Sequence, residues 1–197
     1  MYTLLALGDS YTIGEGVLLP ETYPYQAVQM LRAQGLPFMA PEIIARTGWT
    51  TDELDSAIAG TRLLPVYDFV CLLIGVNNQY RGRSTEEYKV QFQSLLRQAI
   101  GFAAGRTERV LILSIPDWGV SPFAADLDRS AIAREIDAFN SAAESIARQH
   151  QVVFIDITSH SRQEGQPFAV DGLHPSGEQY YFWAQQLTEK ISQRLPA

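Results

Sequence analysis

Residues 69–78 read Phe69-Val70-Cys71-Leu72-Leu73-Ile74-Gly75-Val76-Asn77-Asn78, six apolar residues without interruption and then a glycine, a valine and two amides. An unbroken apolar run of this length predicts a strand buried on both faces, as in a parallel sheet covered by helices. Working outward, shorter apolar runs recur at Thr3 to Leu7, Glu42 to Ala45, Arg109 to Ile115 and Val152 to Ile157. Amphipathic segments fill the gaps between them. Tyr25 to Gln34 follows Pro24, whose fixed φ suits a first helical turn, and ends at Gly35. Asp52 to Ala59 follows Thr50-Thr51, either of which can cap it. Ser84-Thr85-Glu86-Glu87 is a capping box that opens a helix to about Ala104. Ser130 to Gln149 sets Ile132, Ile136, Phe139, Ala143, Ile146 and Ala147 at helical spacing, and a last helix runs from Ser176 to about Leu195.

Five strands alternating with helices predict an α/β fold, a three-layer α/β/α sandwich around one parallel sheet with right-handed crossovers. The longest irregular stretches are Tyr11 to Thr22, Pro116 to Leu127 and Thr158 to Leu173, each placed after the carboxyl end of a strand. That is the edge on which open α/β sheets bind ligands, at the switch point between their two halves. Chemistry is therefore sought there.

Composition narrows what chemistry to seek. At 197 residues, 46% hydrophobic and 19% charged, residues 1–197 are expected to form a single domain, since domains typically hold roughly 100–200 residues. Fifteen Lys and Arg against twenty-two Asp and Glu give a net charge of −7, which repels phosphate backbones and anionic membrane surfaces. No nucleic-acid partner is expected, and neither is membrane insertion, because no run approaches the ~18–20 apolar residues of a span. The opening Met-Tyr-Thr-Leu-Leu-Ala-Leu lacks the basic region of a secretory signal, so the expected location is cytoplasmic. Cys71, the only cysteine, can form no intramolecular disulfide and is expected to pack as a small hydrophobe. Paired cysteines and His-Glu-x-x-His spacings are absent, and Gly14-Glu15-Gly16 lacks the third glycine of a dinucleotide fingerprint while setting a carboxylate where pyrophosphate would lie. Neither a metal nor a cofactor is expected, and the anticipated partner is a small molecule.

Three histidines remain as candidate bases. His150 ends a helix, where a cation suits the dipole, and His160 sits among Ser159, Ser161 and Arg162 in a polar loop; both read as structural or solvated. His174 lies in Asp171-Gly172-Leu173-His174-Pro175, with a carboxylate three residues upstream in a tight turn. Such a carboxylate can hold the Nδ1 hydrogen and leave Nε2 as the base, which is the orienter-and-base logic of a hydrolytic triad. A nucleophile is available in Gly8-Asp9-Ser10, just beyond the first strand. Asn77 can present an amide donor to a developing oxyanion, and the N–H of Gly48 in Thr47-Gly48-Trp49 can be approached without a side chain in the way. Each segment also reads as a plain turn. What unites them is position: with strand order 2-1-3-4-5, the segments after the first and third strands flank the switch crevice and the one after the second lies beside it.

Gly8-Asp9-Ser10, Gly48, Gly75-Val76-Asn77 and Asp171-Gly172-Leu173-His174 stand in the order and approximate spacing of the four blocks of the SGNH hydrolases, also called GDSL esterases and lipases, which this chain resembles across residues 8–175. The resemblance implies a flavodoxin-like five-stranded sandwich and a Ser10, His174, Asp171 triad. It also implies an oxyanion hole formed by the Ser10 N–H, the Gly48 N–H and the Asn77 side chain. One departure stands out, because the third block commonly reads Gly-x-Asn-Asp and here Asn78 takes the place of the aspartate.

The expected activity is hydrolysis of small acyl esters, O-acetyl or short-chain, through an acyl-enzyme. A carbohydrate O-deacetylase and a lysophospholipase or thioesterase are the alternatives within the family's range, and a binding module without turnover is the alternative outside enzymology. Tyr11, Trp49, Asn78, Tyr80 and Trp118 are the candidate lining of the substrate pocket.

Overall fold

A computed structural model describes residues 1–195. Five parallel strands form one sheet in the order β2-β1-β3-β4-β5, with β1 at Leu4–Gly8, β2 at Glu42–Ala45, β3 at Phe69–Leu73, β4 at Val110–Leu113 and β5 at Val153–Ile155. The expected order and the layered α/β architecture are those observed. β1 and β3 pair from Leu4 opposite Phe69 to Gly8 opposite Leu73, and every residue of both strands is buried, as their continuous apolar sequences require. β2, at the edge, is only half-buried throughout.

The helices cover both faces of the sheet. On one side α2 (Tyr23–Ala33) packs against α8 (Gly177–Ser192), and on the other α5 (Thr85–Phe102) packs against α3 (Thr51–Gly60) and α6 (Arg129–Gln149). The first layer buries Tyr23, Tyr180 and Trp183 completely. The second stacks Tyr88 on Phe139 with ring centroids 4.7 Å apart. Removing a ring of this kind from such a core costs about 3–5 kcal/mol. Cys71 is fully buried in β3, as its surroundings predict. Among the described residues no helix is long and apolar enough to cross a membrane.

Differences from the expected boundaries have local causes. α2 begins two residues early because Pro24 falls in its first turn, where a missing N–H is tolerated. β5 stops at Ile155 because the Ser114 hydroxyl takes the N–H groups of Ile157 and Thr158 and turns the chain away. Three one-turn helices lie in segments whose sequence reads as turn or irregular chain: α1 (Ser10–Ile13), α4 (Val76–Tyr80) and α7 (Thr158–Ser161). Four or five residues are too few to show a helical period.

Gly8 ends β1 for a steric reason. A Cβ there would stand 2.0 Å from Thr12 Oγ1 and 2.5 Å from the Leu73 carbonyl oxygen. Only a bare α-carbon lets α1 fold back so tightly over the end of β3.

Candidate active site

The turn after β1 is built by Asp9. Its Oδ1 accepts the Tyr11 N–H at 3.0 Å and caps α1, which places Ser10 as the first helical residue. The N–H of a residue in that position has no intrahelical acceptor. Ser10 is 5% exposed, and α1 ends after one turn at Gly14, whose φ is +74°. Asp9 itself is fully buried, and its Oδ2 has no hydrogen-bond partner among the described residues. Desolvation outweighs the backbone hydrogen bonds and pushes this carboxyl from its usual 3.8 up to about 7.

Asp171 and His174 face each other across a second turn. The imidazole Nδ1–H donates to Asp171 Oδ2 at 2.6 Å, while Oδ1 accepts the N–H groups of Leu173 at 2.9 Å and His174 at 3.0 Å. Burial pushes the Asp171 carboxyl up, but these hydrogen bonds prevail and hold it below the ordinary carboxylate value. With Nδ1 committed as donor, Nε2 is the basic nitrogen of the ring. The edge of Tyr11 meets the imidazole at 5.6 Å between centroids, and His174 is buried. Among the described hydrogen bonds none joins Ser10 Oγ to His174.

Gly48, with φ +82°, turns the chain after β2, and its carbonyl accepts Arg81 Nη2 at 2.6 Å. Asn77 lies in α4 and its Nδ2 donates to the Trp49 carbonyl at 2.9 Å, which ties the third loop to the second. α4 can start so close to the core because Gly75, at φ +131°, has no side chain; a Cβ there would stand 2.6 Å from the ring of Tyr88. Ser10, Gly48, Asn77 and His174 all line one cavity of about 190 Å³. A larger depression of about 480 Å³, bordered by Arg129 and Arg162, includes neither Ser10 nor His174.

Tyr11, Tyr80 and Trp118 line the cavity. Trp118 is held by its indole N–H, which donates to Gln79 Oε1 at 2.8 Å, and Gln79 Nε2 in turn donates to Glu135 at 2.7 Å. Two anticipated lining residues are elsewhere. Asn78 is fully buried and clamps the start of α3, its Oδ1 accepting the Thr51 N–H at 3.1 Å and its Nδ2 donating to Thr51 Oγ1 at 2.7 Å. A residue turned inward by two such bonds cannot reach a substrate. Trp49 packs its ring partly against the core and offers the site only its carbonyl. His150 caps the end of α6, and His160 stacks on Phe182 at 3.6 Å.

Four lining residues escaped the sequence reading: Thr47, Val76, Phe123 and Leu173. So did Glu15, whose Oε2 lies 3.9 Å from His174 Nε2 and accepts a hydrogen bond from Thr47 Oγ1. Its only sequence signal is a carboxylate between two glycines, Gly14 and Gly16, both with positive φ.

Residues 6–181 match the GDSL-like Lipase/Acylhydrolase family. No curated protein matches the chain. Among solved structures, a lipase/acylhydrolase from Enterococcus faecalis is 19% identical with a TM-score of 0.81, covering 100% of this chain and 98% of that one. The acetylxylan esterase Axe2 from Geobacillus stearothermophilus is 17% identical with a TM-score of 0.76, covering 96% of this chain and 94% of that one. TesA is 18% identical with a TM-score of 0.73, over 98% and 99% of the two chains. At these identities the likeness is one of fold.

Proposed function

The chain belongs to the GDSL-like lipase and acylhydrolase family and is a carboxylic ester hydrolase, and from that premise we propose that it cleaves small acyl esters with Ser10 as nucleophile, His174 as base and Asp171 as orienter. The observation that carries this reading is the single cavity wall shared by Ser10, His174, Gly48 and Asn77, with Asp171 bonded to the far side of the imidazole.

Ser10 Oγ attacks the ester carbonyl and gives its proton to His174 Nε2. The tetrahedral oxyanion is met by the Ser10 N–H, the Gly48 N–H and Asn77 Nδ2. Catalytic hydrogen bonds commonly shorten when substrate arrives, so a free site without a Ser10 to His174 bond is compatible with this role. Collapse of the intermediate expels the alcohol, protonated by His174, and leaves an acyl-serine. Water, activated by the same imidazole, then frees the acid. A cavity of about 190 Å³ lies below the roughly 300–1,000 Å³ usual for drug-sized ligands and favours acetyl and other short acyl groups. The fold shared with an acetylxylan esterase makes O-acetylated carbohydrates the first natural esters to assay.

Intact-mass measurement after incubation with a fluorophosphonate tests the nucleophile without a choice of substrate. One adduct, mapped to Ser10 and lost in Ser10→Ala, is the expected result. Folded protein that takes no adduct overturns the reading.

A further inference from the structure

We propose that Glu15 selects the charge of the leaving alcohol, accepting alcohols that carry a hydroxyl or an ammonium group beside the ester oxygen and rejecting those that carry a carboxylate or phosphate there. The inference rests on the ester-hydrolase reading above and adds to it a residue that takes no part in the bond changes.

The chemistry fixes where the leaving alcohol must be. When the tetrahedral intermediate collapses, the bond from carbon to the alcohol oxygen breaks, the electron pair stays on that oxygen, and the proton on His174 Nε2 moves to it. That oxygen therefore lies within hydrogen-bond reach of Nε2, about 3 Å. Glu15 Oε2 is 3.9 Å from the same nitrogen. A substituent one or two atoms beyond the leaving oxygen thus falls within direct contact of the carboxylate.

Glu15 is held where it stands. Its N–H donates to the Ser10 carbonyl at 3.0 Å, and its carboxylate takes the hydroxyl of Thr47, the neighbour of Gly48. Gly16 follows with φ +83°, so close to the histidine loop that a Cβ there would stand 2.7 Å from Ala169 Cβ. The side chain is 37% exposed while both its partners, Thr47 and His174, line the cavity, which puts the carboxylate at the mouth.

The surrounding charges do not cancel it. Asp171 is paired with His174 on the opposite side of the ring. Arg81, the nearby cation on the oxyanion side, is engaged by Glu53 at 3.3 Å and by the Gly48 carbonyl at 2.6 Å. Among the described ion pairs, Glu15 has His174 as its sole partner. An alcohol entering here meets a hydrogen-bond acceptor with net negative charge. A hydroxyl can donate to it and an ammonium, quaternary ones included, is attracted by its charge, whereas an anionic group is repelled and leaves the carboxylate unpaired.

The test compares kcat/KM for three acetate esters that share an acyl group and differ in the alcohol: acetylcholine, glycerol monoacetate and acetoxyacetate. Taking the acetylcholine-to-acetoxyacetate ratio in the wild type over that in Glu15→Gln cancels the intrinsic reactivity of each ester. Glu15→Gln is expected to lower the ratio by about tenfold, Glu15→Lys to lower it further, and added salt to shrink the wild-type preference. Thermal melting of each variant confirms that it is folded. A ratio that stays the same in both variants, in a protein that still takes fluorophosphonate on Ser10, overturns the inference alone. Wild-type protein that takes no fluorophosphonate overturns the ester-hydrolase reading and this inference with it.

Discussion

Asn78 and Thr51 are joined twice, by an N–H to Oδ1 bond of 3.1 Å and an Nδ2 to Oγ1 bond of 2.7 Å, so the first residue of α3 is pinned to the third residue of α4. Asn77, the proposed oxyanion donor, is the neighbouring residue and is itself tied to the Trp49 carbonyl. The pair accounts for the unusual amide in a block that commonly carries Asp: an aspartate could accept from the Thr51 N–H in the same way, and the amide adds a donor for the threonine oxygen. Asn78→Ala should cost about 1–3 kcal/mol in urea unfolding, because it leaves a buried N–H without a partner. It should also lower kcat by shifting Asn77. Asn78→Asp should keep most of the activity, and equal damage from the two substitutions would contradict this account.

The proposed roles make different demands on three side chains. Ser10→Ala should abolish turnover. Asn77→Ala should reduce kcat by ~10²–10³ with KM little changed, since the donor acts on the oxyanion and not on the ground state. Asp171→Asn keeps the shape of the turn but offers an N–H or a weaker acceptor to Nδ1, and a loss on the order of 10⁴ in kcat is expected. Steady-state kinetics on an aryl acetate separates the three; equal losses from Asn77→Ala and Ser10→Ala would refute the division of labour.

Asp9 makes stability depend on pH in an uncommon direction. Its folded-state value is raised from 3.8 to about 7, so between those limits the native state binds a proton that the unfolded chain has released, and stability falls as pH rises through the window. Asp171 acts in the opposite sense, because its value is lowered on folding: its contribution is present at neutral pH and lost in acid as the pH falls below the ordinary 3.8. Asp9→Asn retains an oxygen for the Tyr11 N–H and removes the ionisation. Unfolding free energies at about pH 5 and about pH 8 should then differ less than in the parent, by a few kcal/mol. An unchanged pH dependence would mean that Asp9 is not the group responsible.

Gly8→Ala tests the close approach beneath Ser10, the proposed nucleophile. The added methyl would meet Thr12 Oγ1 at 2.0 Å and the Leu73 carbonyl oxygen at 2.5 Å, so either α1 or β3 must move. Overpacking of this kind costs about 1–3 kcal/mol, and displacement of Ser10 should lower kcat in the same variant. Wild-type stability and turnover together would show that the turn has slack.

Much of this molecule is written locally. Unbroken apolar runs such as Phe69 to Ile74 predict buried strands because both faces of a parallel strand need apolar cover, and the observed sheet repeats the expected order. The turn Asp171 to His174 was legible for a similar reason, since a carboxylate and an imidazole three residues apart meet within one stretch of chain. Asn78 and Trp49 were misplaced because adjacency in sequence says nothing about the direction of a side chain inside a one-turn helix or an irregular loop. Phe123, Leu173 and Glu15 were missed because each belongs to a segment with no period of its own.

Local sequence already specified which segments form strands and helices and which short segments carry the proposed nucleophile, base and orienter, because burial imposes a period on local residues and a tight turn limits how its members can meet. Which residues around those segments face the cavity was settled by tertiary packing alone. Tyr80 and Trp118 turn toward it, Asn78 turns away to hold Thr51, and Glu15 reaches the imidazole from a loop 159 positions earlier by residue number. Such meetings depend on how the loops from all five strand ends pack over one sheet edge, and no local pattern encodes a contact between chain segments that far apart.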